Sequence, residues 1–466
     1  MNKIESALAN AIEKHKKLPL VIAYSGGVDS QVLLHALASL IEKDVIPPTT
    51  CNLITVCHVN HGLSDNASTW QSFAEDTCSA LSLKLIVSKV NIHPKPQQSL
   101  EAIARDARYK VLQAIYEQPS LIITGHHSDD QAETFMLALK RGSGLKGLSA
   151  MASETKQGKD ILLRPLLNVS RAEIMAYANK YRLKWVEDES NIDIRYDRNF
   201  IRNDIMPLLV KRWPSVVNTI NRSSEHCKEG QLLLNELAEE DLNCCLIGAN
   251  SLSVDPLAQL SQARFNNLVR YYLAQNNCLM PSTEQLSQLR QQLAAKNDKN
   301  PSVKVGEHYL RRFKGALYLT KAFEEISDWE LKVDLIKGSH LIELPDQLGK
   351  LNIDEEAINY VDENSQVIVL PSNNDKQKLS IRFSHENPTC LPDFRNHSRH
   401  LKKILQELNI PPWQRKRIPF LYLDNRLVAA IGFFICQEFL PEENLTQDTQ
   451  SSTNESKRWL KIDWHR

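Results

Sequence analysis

Over its first two hundred residues the chain alternates short apolar runs with stretches whose apolar positions recur at helical spacing. Leu20-Val21-Ile22-Ala23, residues 52–59, residues 83–90 and Leu121-Ile122-Ile123-Thr124 read as buried strands. Between them, Ile4, Leu8, Ala11 and Ile12 share one face of residues 2–17, and Val32, Leu33, Leu34 and Leu37 share a face beyond residue 30. Residues 67–81 read as another helix, 91–98 as a Pro/Gln loop, and Ser99 stands where it can cap a helix from 100. Strands alternating with helices predict an α/β fold with a doubly wound parallel sheet covered on both faces. Ligands of such sheets sit beyond the carboxyl ends of the strands. Three polar stretches fall there: residues 25–30, 58–64 and 125–134.

The pattern changes near residue 215. Residues 222–298 are rich in Gln, Leu and Glu with helical periodicity, and 302–305 with 315–319 suggest a small strand pair. A charged join at 323–332 leads into short strands with one or two helices. Residues 447–456 read as a polar loop before a closing segment at 459–464. The expected division is 1–215 (α/β), 222–322 (mostly helical) and 333–466 (small α+β). No internal repeat is visible. A chain of 466 residues allows two to four domains.

Composition narrows the setting more than the chemistry. Lys+Arg and Asp+Glu are equal at 56 each, so any basic surface is local. Residues 1–5 carry no apolar signal core, and the longest apolar run, 427–436, is too short to span a bilayer. Nine cysteines, an odd count with no CxxC pair, fit a reducing, cytoplasmic setting and argue against a zinc ribbon or iron–sulfur cluster.

The chemistry concentrates in Ser25-Gly26-Gly27-Val28-Asp29-Ser30, between a strand and a helix start. Paired glycines allow a tight turn, and the first N–H groups of a helix favour an anion. Ser25 and Ser30 add hydroxyl donors, and Asp29 beside a phosphate calls for a cation such as Mg²⁺. No lysine follows, so this is not the common GxxxxGK[ST] phosphate loop. Asp130 and Glu133, three apart at the next helix start, can hold one cation, a metal or an ammonium, or can simply suit the helix dipole. His58 and His61 form an HxxH without zinc spacing. Arg105 and Arg108 share a helix face and suit either phosphate or solvent. The run 395–417 carries Arg395, Arg399, Lys402, Lys403, Arg415, Lys416 and Arg417 against Glu407, as nucleic-acid binders and solvated surfaces both do.

SGGxDS resembles the pyrophosphate loop of the N-type ATP pyrophosphatases (PP-loop, Rossmann-like). SGGVDS, HVNHGLS, EAIARDARY (101–109), GHHSDDQAET, LLRPLL (162–167), DESN (188–191) and RNFIR (198–202) come in the order of the tRNA(Ile)-lysidine synthetases. Residues 309–313, 317–319, 401–403, 410–413 and 418–422 agree with that resemblance. Ser64 departs from it, since many members carry arginine there. The resemblance implies adenylation by ATP of the wobble cytidine of a tRNA(Ile) with a CAU anticodon. Free L-lysine then displaces AMP. It implies pyrophosphate at Ser25, Gly26, Gly27, Val28, Asp29 and Ser30, with His58 beside the nucleotide and Mg²⁺ at Asp29. Asp130 and Glu133 would take lysine, with catalysis resting on these two and Asp29. Arg105, Arg108, Arg198, Arg202, Arg415, Lys416 and Arg417 would face tRNA or nucleotide, and a homodimer is left open. Two other readings stand beside it: tRNA thiolation, which typically uses cysteine pairs, and a nucleotide-binding module without catalysis.

Overall fold

A computed structural model describes residues 1–46, 53–62, 64, 66–92, 100–248, 251–294, 301–333, 338–355, 365–371, 378–441 and 457–466. The cap at Ser99, most of the 91–98 loop and the polar stretch 447–456 lie outside them. The chain forms two compact units, Met1–Leu237 and Ala238–Arg466.

The first unit opens with α1 (Lys3–Glu13), capped by Asn2, and then runs β1 (Leu20–Ala23), α2 (Val28–Glu42), β2 (Ile54–Asn60), α3 (Ala67–Ala80), β3 (Leu85–Lys89) and α4 (Leu100–Gln113). It continues with β4 (Leu121–Ile123), α5 (Ser128–Lys140), β5 (Glu154–Gln157), β6 (Asp160–Leu163) and α6 (Arg171–Lys180). The strand order is β3-β2-β1-β4-β6-β5. All neighbours pair in parallel except β5, which makes an antiparallel edge with β6. That edge hairpin is absent from the sequence reading, because Glu154-Thr155-Lys156-Gln157 is polar and largely exposed. Chain direction along the sheet reverses between β1 and β4, which opens a crevice at their carboxyl ends. Leu20, Val21 and Ile22 are fully buried, and so are Leu121, Ile122 and Ile123, so the crevice has a rigid floor. Beyond α6 come α7 (Asp197–Phe200), a π-helical turn (Ile201–Ile205), α8 (Met206–Arg212) and the long α9 (Val216–Cys245).

The second unit begins with the end of α9. It holds β7 (Ser251–Ser253), α10 (Val254–Gln259), α11 (Gln262–Gln275), α12 (Thr283–Ala294), β8 (Ser302–Val305), β9 (His308–Phe313) and β10 (Ala316–Lys321). The two expected strands do not pair with each other: β8 and β10 each pair with β9, which lies between them in a four-stranded sheet β7-β10-β9-β8, and the two extra strands are too short or too arginine-rich to alternate cleanly. Next come β11 (Glu330–Val333), β12 (Ser339–Glu343), β13 (Lys350–Asp354), β14 (Gln366–Pro371), β15 (Leu379–Arg382), β16 (Thr389–Cys390) and β17 (Arg399–His400). The chain closes with α13 (Leu401–Glu407), α14 (Pro412–Arg415), β18 (Phe420–Leu423), β19 (Arg426–Ala430), β20 (Phe434–Ile435) and β21 (Lys457–His465). They build the sheets β11-β15-β18-β19-β20 and β12-β13-β21-β14 around one core. The apolar run 427–436 is the buried β19–β20 hairpin, and among the described residues no helix is long and apolar enough to cross a membrane.

Candidate active site

The loop after β1 is braced by its own hydroxyls. The Ser30 hydroxyl donates to the Gly27 carbonyl (2.9 Å) and lies 3.2 Å from the Ser25 hydroxyl. Gly26 has φ +84°, a left-handed conformation, and a Cβ there would stand 2.8 Å from Val186 Cγ2. Val186 in turn donates its N–H to the Gly26 carbonyl (3.0 Å), so the chain just before DESN backs the glycine turn. Among the described residues no side chain caps the start of α2 at Gly27, and Gln31 N–H bonds back to the Gly27 carbonyl. The first-turn N–H groups of Val28, Asp29 and Ser30 are therefore left for an anion.

His58 is buried beneath this loop, and its Nδ1–H donates to the Tyr24 carbonyl (3.1 Å). Burial lowers its pKa. His61 is pushed down to about 4, first by burial and then by Arg108 and His58. Among the described residues, neither of its buried ring nitrogens has a hydrogen-bond partner. Arg105 and Arg108 are both exposed on α4, with Arg105 stacked over Tyr109 at 5.3 Å.

The other wall of the crevice follows β4. Gly125 lies against α2: a Cβ there would stand 3.0 Å from both the carbonyl carbon and the carbonyl oxygen of Asp29. α5 caps itself. His127 Nδ1 accepts the Asp129 N–H (3.2 Å), and Asp130 Oδ2 accepts the His127 N–H (3.1 Å). The His127 ring then turns Nε2 toward Asp29 (3.6 Å) and Asp130 (3.5 Å), spanning both walls. Burial opposes charge on this ring, yet Asp129, Asp130 and Asp29 outweigh it and raise its pKa. Burial would likewise raise Asp130, but His127, Arg198, His126 and Arg202 hold it low.

Asp130 and Glu133 do converge, and they converge on two arginines. Arg198 Nε donates to Glu133 (3.0 Å), while Arg202 donates to Glu133 (2.7 and 2.8 Å) and Asp130 (2.8 Å). The π-helical turn carries Arg202 to this point. Glu133 is 3 % exposed, so the cluster is a desolvated, hydrogen-bonded set of both signs. Two further residues escaped the sequence reading. Arg171, at the start of α6, forms an ion pair with Asp29, and its N–H donates to Asp129 (2.9 Å). Val186 backs Gly26. Neither belongs to a local pattern; both are found only by folding distant segments together. Arg415, Lys416 and Arg417 belong to the second unit. There Arg415 Nε donates to the Ile410 carbonyl (2.8 Å), Lys416 lies 3.7 Å from Glu325, and Arg417 pairs with Asp346.

A glycine turn feeding an uncapped helix at the reversal point of a parallel sheet defines a nucleotide-binding α/β protein of the PP-loop kind. A PP-loop domain model matches residues 1–209, a TilS substrate binding domain model 252–318, and a TilS substrate C-terminal domain model 379–451. The tRNA(Ile)-lysidine synthase of Coxiella burnetii is 37% identical over 425 residues, which is 90% of this chain and 89% of that protein. The Serratia proteamaculans enzyme of the same name is 40% identical over 94% of this chain and 95% of its own length. The chain belongs to the tRNA(Ile)-lysidine synthase family. Among solved structures, a U34-tRNA thiolase from Methanococcus maripaludis is 19% identical with a TM-score of 0.39, covering 49% of this chain and 79% of that one.

Proposed function

We propose that this protein ligates free L-lysine to position 2 of the wobble cytidine of tRNA(Ile) with a CAU anticodon, giving lysidine, AMP and pyrophosphate. Codon reading thereby changes from AUG to AUA. Family membership along nearly the whole chain carries this reading. A pyrimidine carbonyl oxygen is a poor leaving group and AMP a good one, so adenylation comes first. The free N–H groups of the α2 start receive the phosphates, with Ser25 and Ser30 holding the loop in shape.

Asp29 is one-third exposed at the mouth of that loop, which fits a Mg²⁺ ion held by one carboxylate together with phosphate oxygens. When bound, such an ion supplies positive charge between carboxylate and phosphate. Arg171 forms an ion pair with Asp29, and His127 Nε2 lies 3.6 Å from the same carboxylate.

Asp130, Glu133, Arg198 and Arg202 suit an amino-acid zwitterion: the carboxylates match an α-ammonium and the guanidiniums an α-carboxylate. The ε-amine of lysine is then free to attack. We assign chemistry to residues 1–215 and tRNA contacts to 222–322 and 333–466, in the cytoplasm. Light scattering reads directly whether the protein is a homodimer.

The test is mass spectrometry of nucleosides from tRNA(Ile) treated with ATP and lysine. Lysidine is expected. A thiolated cytidine supports the thiolase reading instead, and unmodified cytidine with bound ATP supports a module without catalysis.

A further inference from the structure

The second unit holds a cleft of about 410 Å³ that no step of the reaction uses. Its volume falls within the range of ligand sites, about 300–1,000 Å³. β9 supplies Tyr309 and Arg311, the segment after β10 supplies Phe323, and α14 with the residues after it supplies Trp413, Lys416 and Arg417.

Arg311 is the centre of the arrangement. Its guanidinium lies 4.8 Å from the Tyr309 ring centroid, 5.3 Å from Phe323 and 5.6 Å from Trp413. Nε donates to the Thr320 hydroxyl (3.0 Å), which fixes the fork. Among the described residues no carboxylate pairs with it, whereas Arg417 is paired with Asp346 and Lys416 lies near Glu325. Trp413 is held upright by the edges of Tyr318 (5.5 Å) and Phe313 (6.0 Å). Phe323 is 37 % exposed, with two guanidiniums over its ring, Arg417 at 4.5 Å and Arg311 at 5.3 Å.

Aromatic faces grouped around a cation that lacks a counter-ion ask for a ligand with both a π-face and a negative charge. A nucleotide has both. In a duplex the base faces are stacked away, so the ligand must be unpaired. Glu324 and Glu325, both exposed, also line the cleft and disfavour phosphates beyond the one that Arg311 takes. We propose that this cleft receives one unpaired nucleotide of the tRNA, its base among Tyr309, Phe323 and Trp413 and its phosphate on Arg311. This rests on the tRNA reading above and adds to it a defined single-nucleotide subsite.

Filter binding over a range of salt, with the CAU tRNA(Ile) transcript and a blunt RNA duplex of similar length, tests it. Phe323→Ala should weaken tRNA binding about tenfold or more with an unchanged salt slope. Arg311→Gln should weaken it similarly and lower the slope of log K against log salt by about 1. Duplex affinity should not change in Phe323→Ala. Should Arg311→Gln fail to fold, Phe323→Ala, with its exposed ring, carries the test. Wild-type affinity and slope in both variants overturn the cleft while leaving the tRNA reading intact. Equal losses on duplex and tRNA overturn the unpaired nucleotide. A wild-type protein that binds no tRNA overturns the wider reading and this site with it.

Discussion

Gly125→Ala is a small change aimed at the join between the two walls of the crevice. The new Cβ would meet the Asp29 carbonyl carbon and oxygen at 3.0 Å and the Ser30 nitrogen at 3.3 Å. These are backbone atoms at the start of α2, so no side-chain rotation relieves the contact. Ordinary contact begins at 3.4 Å, so the α2 start and the β4 loop must part by about 0.4 Å. Overpacking of this kind costs roughly 1–3 kcal/mol, a fall of a few degrees in melting temperature. The larger effect is on chemistry. A misplacement of ~1 Å can cost on the order of a hundredfold in rate, so a shift of roughly half that predicts about a tenfold loss. The assay is pyrophosphate release at saturating ATP and tRNA, with tRNA affinity measured in parallel. Gly144→Ala is the control, since Gly144 has φ −75° and a Cβ there would have nothing within 4 Å among the described residues. A Gly125→Ala protein that releases pyrophosphate at the wild-type rate would refute the argument that this contact sets the loop.

Asp29→Ala should abolish AMP formation while tRNA still binds, and it should melt within a few degrees of wild type because the Asp29–Arg171 pair is partly exposed. Full adenylation at ordinary Mg²⁺ would remove Asp29 from the reaction. Glu133→Gln breaks a buried pair at a cost of roughly 3–5 kcal/mol. It should raise the lysine KM more than it slows pyrophosphate release; loss of pyrophosphate release with unaltered lysine dependence rejects the lysine role. Glu5 is buried, and although burial would raise its pKa, hydrogen bonds from Lys43, Ser39 and the Asn2 N–H hold it below the ordinary value. A depressed carboxylate stabilises the fold above its unfolded pKa, about 4.3, and loses that contribution as pH falls through the folded value. Glu5→Gln should therefore cost about 1–3 kcal/mol near neutrality and progressively less in acid; an offset independent of pH in denaturant titrations would contradict this.

The nucleotide loop was legible because its physics is local: an apolar strand, two glycines and a helix start within a dozen residues. The same holds for the order of strands and helices up to Lys140. The partners of the site residues were not legible. Arg198 and Arg202 read as cations open to a polyanion, since nothing in residues 195–202 announces that Glu133 lies beneath them. Arg171 and Val186 sit in ordinary stretches, and only the packing of the segments after β6 onto the crevice gives them work. His308–Phe313 hid its strand character because Arg311 and Arg312 interrupt the apolar alternation, although Arg312 is itself buried. Local pattern thus exposes the groups whose chemistry depends on backbone shape, and misses those whose role depends on which side chain faces them.

β21 lies between β13 and β14, pairing Leu351 with Trp464 on one side and Val369 with Trp459 on the other. The β12–β13 hairpin can close from neighbouring residues, whereas among the described residues β14 pairs only with residues 457–465. On the ribosome, therefore, this sheet must wait half-built while the intervening segment is made. During that interval the inner edges of β13 and β14 are open to any extended chain, including the same segment of a neighbouring nascent copy. The placement of one strand thus makes the time between synthesis of residue 371 and residue 457 a window in which this sheet is open to misassembly.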